Sequence, residues 1–292
     1  MGLRSIFFWG RLRLPLLFFV HTPPHLFLES VPSTAYNRTI KRTEVIKLDN
    51  QELQRQKDLE DDLRRLEFFR PIDDTFMRVL FRDNLPLAET VLRTITGKED
   101  LHLISEETQR DLKRLVGARG ICLDVYGVDD ENEEYDLEIQ RSESGAKPKR
   151  ARYHAGAMDI EYLNPGQDFE ALRTSYVIML CEHDPYHAGK ALYPIERINL
   201  ATGEPFDDHQ HILYVNASYK GDDDLGKLLH DFLCSDPDEM YTSLLAERTR
   251  FFKRSPEGRK IMCEVMEQLR DESIQRGIDQ TRIESIKTLW KH

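Results

Sequence analysis

The stretch GICLDVYGVDDENEEYDLEIQ, residues 120–140, decides the fold class of this 292-residue chain. Apolar and polar residues alternate in each half of the stretch, and the acidic segment 129–133 separates the two halves. The alternating apolar positions are Ile121, Leu123 and Val125, then Tyr135, Leu137 and Ile139. Alternation with a period of two predicts a β-strand, and two such strands joined by a polar turn predict a β-hairpin.

The polar positions of this hairpin carry the residues that point to chemistry. Asp124 lies on the first strand, and Glu138 and Gln140 share one face of the second, because side chains alternate along a strand. Two converging carboxylates repel each other unless a cation lies between them, and Mg²⁺ prefers oxygen ligands. Such an ion polarises a phosphoryl group and activates a water. Acids on a half-exposed strand are also commonly solvated, so alternation alone leaves a metal site and a solvated face both open.

The elements predicted around the hairpin give an α/β chain. Helical spacing predicts helices at 51–69, 74–82, 86–96 and 147–163. Apolar runs predict strands at 175–180, 191–198 and 211–217. The chain then reads as helical from residue 225 almost to its end, with breaks at 235–237 and 255–256. This order predicts a mixed sheet flanked by helices.

Composition restricts the function classes. Charged residues make up 32% of the chain and apolar residues 40%, which is typical of a soluble protein. The net charge of -11 argues against a broad nucleic-acid-binding surface, because the phosphate backbone favours basic proteins, but it leaves room for a local basic strip. The four cysteines form no CxxC pair, so we expect reduced thiols in a cytoplasmic protein: Cys122, Cys181, Cys234 and Cys263.

The N-terminal residues form a separate question. Residues 3–28 are rich in Leu and Phe, but Arg11, Arg13 and Pro15 interrupt them. A membrane-spanning helix needs about 20 apolar residues in a row, and no small-residue cleavage site follows the short apolar core. We expect residues 1–50 to be poorly ordered or to follow a misassigned start, with no stable membrane association. A membrane anchor is the alternative.

Several of these stretches together resemble a known nuclease superfamily. Asp124, the acidic turn and the run 138–140 resemble the D…ExK motif of the PD-(D/E)XK nucleases. The similar branch is the PD-(D/E)XK nuclease family transposases, or recombination-promoting nucleases, in which ExQ commonly stands for ExK. Further stretches fit this branch in the same order: 71–77, 149–154, 176–180, 202–206, 211–216 and 225–232. The resemblance covers about residues 65–270.

The resemblance implies a fold and a set of roles. The expected fold is a restriction-endonuclease-like core at residues 51–220, with a helical C-terminal region at 221–292. Asp124 and Glu138 are implied to bind Mg²⁺, with Mn²⁺ as the alternative ion and the carbonyl of Ile139 as a third ligand. Gln140 is implied to replace the usual lysine; it can hydrogen-bond a water but carries no charge.

Two further groups of residues have two readings each. An acid on the first helix often completes the site in this superfamily, and Asp73 is our candidate, with Asp74 next; an Asp before an apolar helix is also typical of an N-cap. A basic strip follows Glu138 and can hold a phosphate backbone or simply form a solvated helix start: Lys147, Lys149, Arg150 and Arg152. Tyr153, which follows this strip, is able to stack or to hydrogen-bond, but we expect it to lie in the core.

These features predict a cytoplasmic Mg²⁺-dependent DNA endonuclease associated with recombination or mobile elements. The resemblance also implies a homodimer, because cutting both strands needs two sites. The alternative is a nuclease-fold module that binds DNA or assembles with little or no cleavage. A third hypothesis is a protein that binds a partner through the helical region 225–290. The sequence has no Gly-rich phosphate loop, no GxSxG elbow and no HExxH motif.

Overall fold

The computed structural model describes residues 52–112, 121–142 and 145–289, with side chains up to residue 279. The prediction for residues 1–50 lies outside these ranges. Three helices come first: α1 (52–68), α2 (Asp74–Phe81) and α3 (Leu85–Thr96). Pro86 lies in the first turn of α3, where its missing N–H costs nothing, and Gly97 ends the helix in the left-handed conformation with φ of 73°.

The sheet has six strands in the part of the chain that the structure describes. They are β1 (Leu103–Leu112), β2 (Ile121–Asp129), β3 (Glu134–Gln140), β4 (Ser175–Cys181), β5 (Leu192–Ile195) and β6 (Gln210–Asn216). Their order across the sheet is β1-β2-β3-β4-β6-β5. Strands β3, β4 and β6 are parallel, and the other neighbours are antiparallel. The predicted mixed α/β fold, with the hairpin β2–β3 near its centre, is confirmed.

The remaining helices follow the predicted order. Helix α4 (Pro148–Tyr162) connects the parallel strands β3 and β4, and a short 3₁₀ turn covers Phe169–Ala171. Helices α5 (Asp224–Leu233), α6 (Ser243–Arg254) and α7 (Pro256–Leu289) complete the chain and begin or end at the predicted breaks. Among the described helices, none is both long enough and apolar enough to cross a membrane.

Strand β1 has no counterpart in the sequence predictions. Its sequence, LISEETQRDL, shows no apolar alternation, and only Leu103 and Leu112 at its two ends are buried. It is an edge strand that pairs with β2 alone. An edge strand that is largely exposed needs no apolar face, so the period that identifies a half-buried strand is missing.

The two faces of the sheet bury separate apolar clusters. On one face, α4 contributes small residues such as Ala151 and Ala155, which pack with Val177 of β4. On the other face lies a larger cluster that includes α2, α3 and the C-terminal helices; Phe76 and Phe232 are both fully buried there. The helices after residue 220 therefore share a core with the helices before the sheet. The boundary between the predicted core at 51–220 and the predicted C-terminal region at 221–292 stays a prediction.

Candidate active site

Strands β2 and β3 separate at the two predicted acids. Their ladder runs from Val128 opposite Glu134 to Val125 opposite Leu137. Beyond Val125, side chains take over the bonding between the two strands. The backbone N–H of Asp124 donates to Oε1 of Glu138 at 3.0 Å, and the N–H of Ile139 donates to Oδ2 of Asp124 at 3.1 Å. The fold therefore brings Asp124, Glu138 and Ile139 together.

Strand β1 adds a residue to this site that the sequence did not indicate. Nε2 of Gln109 donates to Oδ1 of Asp124 at 3.1 Å. Gln109 has a φ of 59°, a left-handed conformation that is uncommon for a residue with a side chain and rare inside a strand. Strain of this kind persists where the surrounding structure imposes it, commonly at functional sites. The missing alternation of β1 concealed Gln109, and no other signal in the sequence marks it.

One face of β3 is polar and yet buried. Along this face lie Glu134, Asp136, Glu138 and Gln140, which are 2%, 0%, 0% and 7% exposed. The sequence prediction left open a solvated face; that alternative is wrong for β3, because these residues are buried and α4 contacts Asp136 and Glu138. Buried charged groups are costly unless they are partnered, so the burial calls for specific compensation.

Helix α4 supplies part of this compensation through two residues four positions apart. NH2 of Arg150 lies 3.0 Å from Oε2 of Glu138. Nδ1 of His154 lies 3.0 Å from Oδ2 of Asp136 and 3.6 Å from Oε1 of Glu138. Residues at i and i+4 lie on the same side of a helix, so one face of α4 reaches both acids. Oδ1 of Asp136 is buried and has no hydrogen-bond donor among the described residues.

The electrostatics of the site favour neutral or cation-bound carboxyl groups. Burial, together with the charges of Asp136 and Asp124, raises the pKa of Glu138 to about 8. Burial also raises the pKa of Asp124, with a contribution from the charge of Asp74, and raises the pKa of Asp136 well above its ordinary value. Burial lowers the pKa of His154, so its imidazole tends to be neutral.

Gln140 lies beside the acids and against Gly145. A Cβ added at Gly145 would overlap Oε1 of Gln140, so only a glycine leaves room for this amide in its position. The amide also borders a cavity of about 240 Å³. His183 and His187 line the same cavity. Gln140 is therefore held at the edge of an open space next to Glu138.

The structure places Asp73 in an ion-pair network beside the site. Asp73 occupies the N-cap position of α2, but its carboxylate accepts from the backbone N–H of Arg70 at 2.8 Å instead of from the helix. The guanidinium of Arg141, which follows Gln140, lies 3.1 Å from the same carboxylate. Glu182 pairs with Arg70 at 2.9 Å. The N-cap alternative is thus wrong for the side chain, and the catalytic role of Asp73 stays a prediction.

The basic strip lies at the start of α4 and faces solvent. All four of its predicted members are exposed: Lys147, Lys149, Arg150 and Arg152. Arg150 is the member that reaches Glu138, with its side chain 45% exposed. Tyr153 is also 45% exposed, so its predicted place in the core is wrong. The reason is the rotation of α4, which buries Ala151 and His154.

The residues at the divergence of β2 and β3 fit a divalent cation. The carboxylates of Asp124 and Glu138 are oxygen donors of the kind that Mg²⁺ and Mn²⁺ prefer. Burial raises the pKa of both groups, and the charge of Asp124 adds to the shift of Glu138; a bound cation would offset both effects. The donorless Oδ1 of Asp136 is a further buried oxygen in the same cluster.

A mixed sheet flanked by helices, with acids at the divergence of two central strands, is consistent with a nuclease-like α/β fold. The sequence profile of the family described as "PD-(D/E)XK nuclease family transposase" matches residues 89–220. This stretch of the chain is similar to that family, and the match confirms the resemblance and supports a nuclease-like function. No curated protein and no solved structure gives a significant match to the chain.

Proposed function

We propose that this protein is a divalent-metal-dependent DNA endonuclease whose active site lies where β2 and β3 separate. The observation that carries the proposal is the reciprocal bonding of Asp124 and Glu138 at that point, within the segment that matches a nuclease family. The proposed reaction is hydrolysis of a phosphodiester by water. Mg²⁺ is the proposed ion, with Mn²⁺ as a substitute, because the donors are oxygens.

The residues of the site have separate proposed roles. Asp124, Glu138 and the carbonyl of Ile139 would hold the ion, which supplies Lewis-acid polarisation of the phosphoryl group and makes the attacking water more acidic. The amide of Gln140 hydrogen-bonds and orients that water without adding charge. Asp73 contributes by holding Arg141, the residue after Gln140. The guanidinium of Arg141 lies 3.1 Å from the carboxylate of Asp73.

The basic strip is the proposed contact for the DNA backbone. Lys147, Lys149 and Arg152 are exposed at the start of α4, next to Arg150, which contacts Glu138. A duplex phosphate held by these side chains would lie beside the acids, although the whole chain has a net charge of -11. We also propose a cytoplasmic role at mobile elements or in recombination, and a homodimer, because a double-strand cut needs two sites.

A plasmid nicking assay tests the proposal. Full-length protein is incubated with supercoiled plasmid in Mg²⁺, Mn²⁺, Ca²⁺ or EDTA, beside the Glu138→Gln variant. We expect nicking in Mg²⁺ and Mn²⁺, none in EDTA, and background levels in the variant. Because Gln is close in size to Glu, circular dichroism should give the same fold for both proteins. Equal nicking by the wild type and the variant would overturn the proposed site.

The second candidate function is a nuclease-fold module that binds or assembles on DNA without cutting it. Gln140 at the position of the usual lysine favours this alternative, because the amide cannot stabilise charge at the phosphorus as an ammonium can. Its signature is DNA binding by the wild type without cleavage in any of the divalent metals. Gln140→Lys is then the first variant to examine, since it restores the missing charge.

A further inference from the structure

A buried cluster beside the proposed site has the composition of a metal centre that includes nitrogen. Asp136, Glu138 and His154 each offer one ligand atom, and these atoms lie within 4.8 Å of one another. Asp136 and Glu138 are fully buried and His154 is 4% exposed. Asp124 is not a member of this group; it contacts Glu138 from the opposite strand. Glu138 therefore belongs both to the site at the strand divergence and to this cluster.

We propose that Asp136, Glu138 and His154 form a second divalent-metal site, which shares Glu138 with the site at Asp124. The inference rests on the proposed function only through that shared carboxylate. Two metal ions bridged in this way, about 3.5–4 Å apart, are a common arrangement in enzymes that cleave phosphodiesters.

The distances in the cluster suit a shared ion. Nδ1 of His154 lies 3.0 Å from Oδ2 of Asp136 and 3.6 Å from Oε1 of Glu138. Ligands bound at about 2.0–2.2 Å to one four-coordinate ion lie roughly 3–4 Å from each other. The separations of Nδ1 of His154 from the two carboxylate oxygens therefore match those between ligands of one ion.

The charge of the cluster needs a cation or a proton. The carboxyl groups of Asp136 and Glu138 lie next to each other, and among the described residues the permanently cationic group at them is Arg150, which binds the far oxygen of Glu138. Oδ1 of Asp136 has no donor among the described residues. Two neighbouring buried carboxylates cannot both stay charged unless something positive lies between them. A proton shared by the pair is the competing explanation.

The nitrogen donor determines the class of ion. Mg²⁺ and Ca²⁺ take oxygen ligands, whereas imidazole suits Zn²⁺ and related transition metals; Mn²⁺, at the low end of the same affinity order, accepts imidazole more weakly. A site with two carboxylate oxygens and one imidazole nitrogen is therefore expected to prefer Mn²⁺ or Zn²⁺ over Mg²⁺. The site at Asp124 and Glu138 has oxygen ligands alone and lacks this preference.

Electron spin-echo spectroscopy of Mn²⁺ distinguishes these possibilities, because it detects nitrogen bound directly to the metal. The full-length, tag-free apoprotein is titrated with Mn²⁺, and the number of bound ions is measured alongside the nitrogen signal. We expect two bound ions and a nitrogen signal in the wild type. His154→Gln should lose the signal and one ion, Asp124→Asn should lose one ion and keep the signal, and His187→Gln is the control that should lose neither.

The outcomes separate the second site from the proposed nuclease site. Mn²⁺ bound without a nitrogen signal in the wild type overturns the second site and leaves the Asp124 site in place, whether or not DNA is cut. A nitrogen signal that persists in His154→Gln overturns it as well. No bound Mn²⁺ in any sample contradicts both proposals. The key measurement uses the wild type, so it does not depend on the stability of a variant.

Discussion

The backbone N–H of Asp124 donates to the carboxylate of Glu138 across 3.0 Å, at the point where their two strands cease to pair. The carboxylate of Asp124 in turn accepts from the N–H of Ile139 at 3.1 Å. Each carboxylate thus accepts a hydrogen bond from a backbone N–H that lies beyond the end of the β2–β3 ladder. The acids therefore have a structural role as well as the proposed chemical one, and the two roles can be separated by substitution.

Asp124→Asn and Asp124→Ala should differ in stability but not in activity. Asparagine keeps an oxygen for the N–H of Ile139, whereas alanine leaves that partly buried donor unpaired, at a cost of about 1–3 kcal/mol. Both variants lose a carboxylate ligand, so neither should nick plasmid in Mg²⁺. Urea unfolding measures the difference. Equal stability of the two variants would show that the bond to Ile139 contributes nothing.

The left-handed backbone conformation of Gln109 should destabilise the fold, and glycine at this position should relieve that strain. Its φ of 59° costs a residue with a side chain about 1–2 kcal/mol, while glycine adopts it freely. Gln109→Gly and Gln109→Ala both lose the bond to Asp124 at 3.1 Å, so the two should lose activity equally. The glycine variant should be the more stable of the two in urea. A more stable alanine variant would contradict the left-handed conformation.

Arg150→Ala and Arg152→Ala should separate cleavage from binding. Both side chains are exposed on α4, but Arg150 lies 3.0 Å from Glu138. If each contacts one phosphate, each substitution should weaken DNA binding and reduce the slope of log K against log salt by about 1. Arg150→Ala should also slow single-turnover cleavage of bound DNA, because Glu138 loses its cationic partner. Unchanged salt slopes in both variants would place the DNA elsewhere.

The hairpin was predictable because apolar and polar residues alternate in its sequence, and Asp124 and Glu138 stand out against the apolar positions. The burial of its strands was not predictable from this pattern, because β3 is buried on both faces. Strand β1, by contrast, buries only its two end residues, so its sequence lacks the alternation that would distinguish it from a loop, and Gln109 was missed with it.

The partners of the acids depend on packing that a single sequence does not give. Asp136 and His154 are 18 residues apart on a strand and a helix, and their contact requires the rotation of α4 over the sheet. The spacing of Arg150 and His154 at i and i+4 was the available signal that one face of α4 could reach the acids. The exposed Tyr153 shows how easily that rotation is assigned wrongly without the sheet beneath it.

The free energy of unfolding should depend on pH because of a buried lysine in α6. Lys253 is 1% exposed, and its ammonium donates to the carbonyls of Glu67 and Ser235 at 2.9 and 2.6 Å. Burial lowers its pKa to about 8, below its unfolded value of about 10.4, although nearby acids oppose the shift. Above pH 8 the unfolded chain therefore binds more protons than the folded one, so this residue adds stability as pH rises.

The comparison with Lys253→Met isolates this contribution. The variant should be less stable, because the two carbonyls lose their donor. The difference in the free energy of unfolding between wild type and variant should widen as pH rises from 7 to about 9.5. The reason is that the neutral amine still donates to both carbonyls without the cost of a buried charge. Urea unfolding at a series of pH values measures the gap. A gap that narrows or stays constant would refute the lowered pKa.

Gly145→Ala should impair catalysis while leaving the fold intact. The added methyl group would overlap Oε1 of Gln140, the end of a flexible side chain that can move aside, so the cost in stability should be small. The displaced amide can then no longer orient a water beside Glu138, and cleavage should slow by about 10-fold or more, as when a positioned hydrogen-bond donor is removed from an active site.

Gly156→Ala on α4 is the matched control, because an added Cβ meets nothing within 4 Å there and alanine favours a helix. Plasmid nicking and urea unfolding of both variants measure the two effects. If Gly145→Ala cleaves as fast as Gly156→Ala, then the position of the Gln140 amide does not matter for the reaction, and the proposed role of that residue fails.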